Sequence, residues 1–538
     1  MGKNSFLCLC VLTCSLLLVA CAGLVGGANP VGQTPATPPA TLAQASATPV
    51  PAFLWVSSAV PDSLRQAALA SGLPLAAASG TATVRLDALY PPQSTIDNPQ
   101  TIWYYALVTP FPTTTDSVAL ADIRNGWAGT PSGPFAGRPL WMDEPTLAAF
   151  TGLWGAPAPG SVRMTGADQL VDSAWADRPA WAIVPFEALE PRWKVLSVDS
   201  QSPVHNDFDP AAYPLKIVFS LQPASFSLPP SNRDPHKLTV LAMTGTTALV
   251  RGTADRMEKN GVLYPAEEIG SVLRAADITH ISNEVSFDPK CPAPDIWSVS
   301  LRFCSDPRYI ALLQDVGTDV VELTGNHLMD YGPADLLQTL DMYDQLGWKH
   351  YGGGRDLQDA LQPALLEHNG NRLAFVGCNV VGPPDDWAAD TSPGSAPCNL
   401  DDLADEITRL RSQGYLPVMT FQYHEYYQPN PTAEEQADFR RMAAAGAVIV
   451  SGSQAHEPAS MEVFDGSFVH YGLGNLFFDQ MFSLPTRQLF VDRHVFYDGK
   501  YIGTELLTYV SEDFARPRPM TDLERAQFLQ KIFKVAGW

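Results

Sequence analysis

Two stretches decide the fold: ADITHISNE at residues 276–284 and VVELTGNHLMDYG at residues 320–332. Each opens with apolar and β-branched residues that suit a buried strand and closes in a burst of polar side chains. The first reaches Asn283-Glu284 and the second Asn326-His327. The pattern recurs around them. KLTVLAM (237–243) runs into Thr244-Gly245-Thr246, RLAFVG (372–377) reads as a further strand, PVMTFQ (417–422) ends in Gln422, and AVIV (447–450) leads to Gly452. Helical segments stand between the strands. AEEIGSVLRAA (266–276) is one, and 401–413 is another. Pro333 opens a third, with Leu336, Leu337, Leu340, Tyr343 and Leu346 on one face. Thr432 and Glu435 form a capping box ahead of EEQADFRRMAAAG. Strands alternating with helices predict an α/β sheet, in which ligand sites form beyond the carboxyl ends of the strands. Separate segments thus aim Glu, Asn, His and Gln at one place.

These motifs are followed by YYQPNPTAEEQ (426–436), AGAVIVSGSQAHEPASMEV (445–463) and VHYGLGNLFFDQ (469–480). Together and in this order they resemble the CapA family of poly-γ-glutamate capsule biosynthesis proteins, within the calcineurin-like metallophosphatase superfamily. The resemblance covers 237–538. It implies a metallophosphatase-like α/β sandwich and a centre where Asp, Asn and His hold two metal ions that activate a water. It also implies roles at matching positions. Arg251, His327 and Asp330 stand at catalytic positions, with His327 as a general acid held by Asp330. Glu284, Asn326, His456 and, two residues past the motif position, His424 remain as candidate metal ligands. At four positions this sequence departs from the family: Thr246, Ser282, Gln422 and Gln454 replace its Asp, Asn and His. Neutral side chains remove charge and basicity, so a dinuclear centre fits poorly and there is room for at most one divalent ion. Plainer readings compete. His327 can pin a strand-to-helix turn, Glu284 can pair with Arg251, and Gly352–Gly354 before Arg355 reads as a turn. His236, His280, His350, His368, His470 and His494 read as structural or surface residues.

Upstream, residues 52–222 show the same alternation. FLWVSS, TIWYYALVTPF, PAWAIVPFEAL and RWKVLSVD read as strands, and PDSLRQAALASG, DSVALADIRNGWAG, EPTLAAFTGLWG and TGADQLVDSAWA as helices. The run WAIVPFEALEPRWKVLSVD, followed by YPL, is similar to phosphate-type periplasmic solute-binding proteins. The fold expected is therefore an N-terminal solute-binding-protein-like α/β domain (52–222), a Pro- and Ser-rich linker (223–236) and the metallophosphatase-like domain (237–538). Near the other end, the tail carries Leu523, Phe528, Ile532 and Phe533 in a helical stripe expected to dock on the core.

The first residues read as a targeting segment. Lys3 precedes an apolar run, and Leu18-Val19-Ala20-Cys21 resembles a lipoprotein cleavage site, so 1–21 is expected as a lipoprotein signal peptide with Cys21 lipidated. Residues 22–51 carry no charged side chain and are rich in Ala, Pro and Thr, as in a disordered tether. Of the 8 Cys, Cys291, Cys304, Cys378 and Cys398 lie in the body. Four Cys allow three pairings, and the local one (Cys291 with Cys304, Cys378 with Cys398) brackets two Pro-rich loops. Zinc is the rival reading, although no CxxC spacing occurs.

Over 538 residues, 34 Lys+Arg against 57 Asp+Glu give a net charge of −23, which disfavours nucleic acid as a partner. The expected function is that of an extracytoplasmic protein, lipid-anchored to the membrane, in capsule or cell-envelope polymer biosynthesis with a degenerate metal site. Its expected partners are an anionic envelope polymer or capsule-synthesis membrane proteins. The alternative is an active metal-dependent hydrolase or transferase acting on a phosphoester or amide bond.

Overall fold

Strand Gln100–Pro110 organises the first body of the computed structural model, which describes residues 52–90 and 100–538. The expected signal peptide, tether and Cys21 lie outside the described residues. From Trp103 onward every residue of this strand is buried, because strands and helices cover both its faces. That explains its unbroken apolar run. It pairs antiparallel with Trp181–Pro185, Trp193–Val198 and Lys216–Gln222, at the centre of a nine-stranded mixed sheet. Helices Asp62–Leu69, Leu120–Trp127, Glu144–Trp154 and Leu170–Ala176 accompany it. Asp143 caps the third, its Oδ1 accepting from the Thr146 N–H at 2.9 Å. Residues 223–236, expected as a linker, run along this sheet. Ser231 bridges Ile102, and the Asn232 amide mimics a peptide by accepting from Tyr104 N–H (2.8 Å) and donating to Tyr104 C=O (2.9 Å).

The second body is a four-layer α/β sandwich. One sheet has the strand order Lys349–Tyr351, Thr318–Glu322, Ile278–Asn283, Leu238–Thr244, Gln488–Tyr497, Lys500–Glu512, Arg516–Pro519. The facing six-stranded sheet includes Asn371–Asn379, Leu416–Gln422, Ile449–Gly452 and Ser467–His470. Leu241, Met243, Ile278, Val320, Phe375, Val418, Ile449, Phe468 and Phe490 fill the space between the sheets. Outside, helices Arg251–Asn260 and Pro333–Leu346 cover the first sheet, and Leu400–Ser412 and Ala433–Ala444 cover the second. The expected capping box forms at Thr432 and Glu435. Two expectations change in detail. The 266–276 helix shrinks to Gly270–Arg274 after a 3₁₀ turn, consistent with Gly270 as a poor helix former. On Pro333–Leu346 the buried face is Leu336, Thr339, Leu340 and Tyr343, with Leu346 exposed.

The inter-sheet layer is not purely apolar. His280 and Glu322 are fully buried, 3.5 Å apart, with Tyr351 OH 2.9 Å from His280 Nε2 and Thr324 Oγ1 donating to Glu322 at 2.6 Å. Burial alone would raise Glu322; contacts from His280, Thr324 and Thr420 outweigh it and hold the carboxyl below its ordinary value. His470 Nδ1 meets Asp492 Oδ2 at 2.5 Å, and His494 Nδ1 lies 3.1 Å from Thr504 Oγ1. Among the described residues, His280 Nδ1, His470 Nε2 and Asp492 Oδ1 are buried without a hydrogen-bond partner.

Both disulfides form as expected, Cys291–Cys304 and Cys378–Cys398, with Cα separations of 5.7 and 5.0 Å. Helix Asp522–Val535 docks through Phe528, Leu529, Ile532 and Phe533; Leu523, expected on that stripe, points to solvent. The same helix reaches the first body. Arg525 donates from Nε and Nη2 to the two oxygens of Asp116 (2.7 and 2.8 Å), and Trp538 packs edge-on to Phe111 and Trp175. Among the described residues no helix is long and apolar enough to cross a membrane.

Candidate functional site

Four strand ends of the second body meet at one cleft. Two glycines permit the approach. A side chain at Gly325 would fall 2.5 Å from the Cα and Cβ of Glu284, and one at Gly245 would overlap the Gly474 carbonyl at 1.9 Å. The backbones therefore touch, and Glu284, Asn326, Gln422 and Gln454 are brought together from segments far apart in sequence.

Gln422 is the hub. Its Nε2 donates to Asn326 Oδ1 (2.9 Å), Glu284 Oε2 (3.5 Å) and Gln454 Oε1. Its Oε1 accepts from Ser453 Oγ at 3.0 Å, and Thr246 Oγ1 donates to the Ser453 carbonyl at 2.6 Å. Ser282 sits opposite Thr246 in strand register. The four positions that depart from the family pattern thus belong to one buried, neutral region in which amides and hydroxyls satisfy each other.

A second cluster adjoins it. His327 Nδ1 lies 2.9 Å from Asp330 Oδ2, which also accepts from Phe303 N–H at 2.6 Å. Burial alone would lower His327, but Asp330, Glu284 and Asp386 together hold it above its ordinary value. Asp386 accepts from Met329 N–H at 3.1 Å, and burial, with Asp330 nearby, pushes its carboxyl up to about 6. Arg251 opens its helix with φ of 42°, a strained conformation for a residue with a side chain. Asp479 holds it there, accepting from Arg251 Nη2 and Gly252 N–H, each at 2.7 Å. The guanidinium sits over Phe303 (4.8 Å) and Phe478 (5.1 Å), and its Nε is buried without a partner among the described residues. Phe303 packs on His327 at 4.6 Å and Phe478 on His456 at 5.3 Å, so two rings link Arg251 to both histidines.

Of the residues nominated from the sequence, Glu284, Asn326, Arg251, His327, Asp330 and His456 converge here. His456 turns its Nδ1 to Asn475 Oδ1 (2.7 Å), with Glu425 3.8 Å from its Nε2. His424 is exposed, beside the rings of Tyr423 and Tyr426. Sequence reasoning missed Asp386, Phe303, Phe478 and Asp479. Phe478 and Asp479 lie inside a motif that was legible, GNLFFDQ, whereas Asp386 stands in a disulfide-closed loop with no periodic signal.

The donor set does not fit a two-metal centre. Glu284 is the one carboxylate in the amide network, and Asn326 Oδ1 and Gln454 Oε1 each accept from Gln422 Nε2. Among the described residues, no group of three or more His, Cys, Asp or Glu side chains is arranged to hold a metal ion. What the cleft offers is His327, its pKa raised by Asp330, Glu284 and Asp386, and a guanidinium on Arg251 held in place by Asp479.

Residues 240–480 match a family model described as bacterial capsule synthesis protein PGA_cap. Over those residues the second body is similar to that capsule synthesis family. Similar members include the capsule biosynthesis protein CapA of Bacillus anthracis, 23% identical over 313 residues, covering 57% of this chain and 75% of that one. The PGA biosynthesis protein CapA of Bacillus subtilis (strain 168) is 24% identical over 266 residues, covering 49% of this chain and 69% of that one. Among solved structures, a 5'-nucleotidase precursor from Thermus thermophilus aligns at 14% identity and a TM-score of 0.32, covering 56% of this chain and 59% of that one.

Proposed function

We propose that this chain takes part in making a poly-γ-glutamate-type capsule or cell-envelope polymer, and that its strand-end cleft binds an anionic polymer or a partner without metal-dependent turnover. One observation carries the reading: Gln422 bonds Glu284, Asn326 and Gln454 into an amide-rich network with a single carboxylate, at the place of the family's metal ligands. Kinship with the CapA proteins supports the pathway, and the two disulfides support an oxidising compartment. We place the body outside the cytoplasmic membrane on a lipidated Cys21.

A second reading keeps catalysis, as a hydrolase or transferase at a phosphoester or amide bond. It is favoured by the raised His327 beside an unpartnered Arg251 Nε, an acid next to an anion-binding group. Metal analysis separates the two. Protein purified without chelators is expected to hold well under one divalent ion per chain and to turn over no generic phosphodiester. The triple variant Thr246→Asp, Gln422→His, Gln454→His is expected to raise metal content. Two tightly bound ions per wild-type chain, with activity abolished by His327→Ala, overturns the binding reading. For the anchor, Cys21→Ser is expected to accumulate unprocessed protein and release it from the membrane fraction; unchanged processing and retention overturns lipidation.

A further inference from the structure

The seam between the two bodies holds a cavity of about 360 Å³. Besides Tyr509, six ionisable side chains line it: Asp116, Lys194 and His205 from the first body, Arg493, Glu505 and Arg525 from the second. Lys194, Arg493 and Arg525 thus face two carboxylates, in a chain whose net charge is −23. Two other concavities differ. One is lined by Asp62, Asp143 and Glu144 with Arg65 as its cation, and another by Asp402 and Glu406.

Each carboxylate in the seam is shared by two cations. Asp116 takes both Arg525 (2.7 Å) and Lys194 (2.7 Å), while Glu505 takes both Arg493 (2.7 Å) and His205 (2.7 Å). Glu505 is held down to about 2: burial opposes ionisation, but His205 and Arg493 outweigh it. Lys194 is 8% exposed, and its other bond is to the Thr113 carbonyl at 2.7 Å. Burial, with Arg525 adding to it, pulls this ammonium down to about 8 although Asp116 opposes the shift. Asp116 and the Thr113 carbonyl take two of the three N–H donors of this buried ammonium, which leaves one for an anion that reaches it. The wall beside the cations is apolar, through Val195, Leu506 and Met520. That suits an anion carrying a short hydrocarbon stem better than bare phosphate.

We propose that this cavity is a binding site for a small organic carboxylate, anchored by Lys194 and flanked by Arg493 and Arg525. The site is separate from the strand-end cleft and does not rest on the capsule reading. Protonation is linked to binding. An anion raises the Lys194 pKa, so binding near pH 8 takes up a proton, and affinity falls as pH rises above the free value. Asp116 and Glu505, both held below the ordinary carboxylate range, keep their charges over that range. His205, Tyr509, Arg493 and Arg525 are the other titratable groups that line the cavity.

The test is calorimetric titration of the purified chain with glutarate and, separately, with inorganic phosphate. Glutarate is expected to bind saturably, one per chain, at least tenfold tighter at pH 7 than at pH 9.5. It should also show proton uptake when buffers of different ionisation enthalpy are compared at pH 8. Lys194→Met is expected to weaken glutarate at least tenfold and Lys194→Arg to retain it, with folding of each checked by its melting curve. If Lys194→Met does not fold, the wild-type proton uptake decides alone. No saturable glutarate binding, affinity independent of pH, phosphate bound equally well, or a folded Lys194→Met that binds as wild type each overturns the proposal. A purely structural ion-pair lattice gives the first of these outcomes.

Discussion

The inter-sheet layer and the strand-end cleft of the second body invert the usual placement of charge. In the layer, where no ligand reaches, ionisable groups persist: His280 with Glu322, His470 with Asp492, and His494. In the cleft, where chemistry would need charge, Thr246, Ser282, Gln422 and Gln454 are neutral. The two regions touch, since Thr324 donates to Glu322 and lies 3.4 Å from Ser453 Oγ, which in turn donates to Gln422. Burial therefore does not set polarity by itself. Buried ionisable groups persist where each has a partner, and buried amides where they bond one another.

Removing one partner in the layer probes this contrast most severely. Asp492→Ala leaves His470 buried without its carboxylate and is expected to cost about 3–5 kcal/mol in urea unfolding. A cost below about 1 kcal/mol means the layer's charges are not held by pairing. The second effect depends on pH. Burial lowers His494 to about 4, although Asp492 opposes this, so the folded value lies below the unfolded one. The unfolded chain then binds more protons between the two values. Stability is complete above the unfolded value, near 6.5, and is lost as pH falls toward 4, on the order of 2–3 kcal/mol. His494→Phe should flatten that limb, and an unchanged acid limb would assign it to other groups. The smallest effect belongs to the cleft. Gln422→Leu leaves Glu284, Asn326 and Gln454 without their shared donor and is expected to cost about 1–2 kcal/mol at neutral pH. A gain in stability there would show that the amide network is strained.

How much of this was legible follows the physics of each signal. The α/β alternation, the strand-end polar bursts, the capping box at Thr432 and both disulfides were readable, because periodicity and local spacing carry them. The amide network was not. Gln422 lies 96 positions from Asn326 and 138 from Glu284, and nothing in the local sequence of any of the three says that their side chains meet. Asp386 and the Phe303–Arg251–Phe478 stack escaped for the same reason. Residues 223–236 read as a linker by composition, yet Asn232 ties them to Tyr104 with two bonds that composition cannot express. Leu523 fitted a helical stripe whose register the docking surface then set.

The helix Asp522–Val535 also imposes an order of events. Its Arg525 meets Asp116 across 409 positions of chain, and the ring of Trp538 lies against Phe111 and Trp175. A chain made from its amino end therefore completes the first sheet long before the segment that seals it exists. During that interval the ammonium of Lys194 and the rings of Phe111 and Trp175 stand open to whatever surrounds the nascent chain. Contacts of such long sequence separation form late and slowly. Biogenesis of this protein has a vulnerable window, closed only by its last helix.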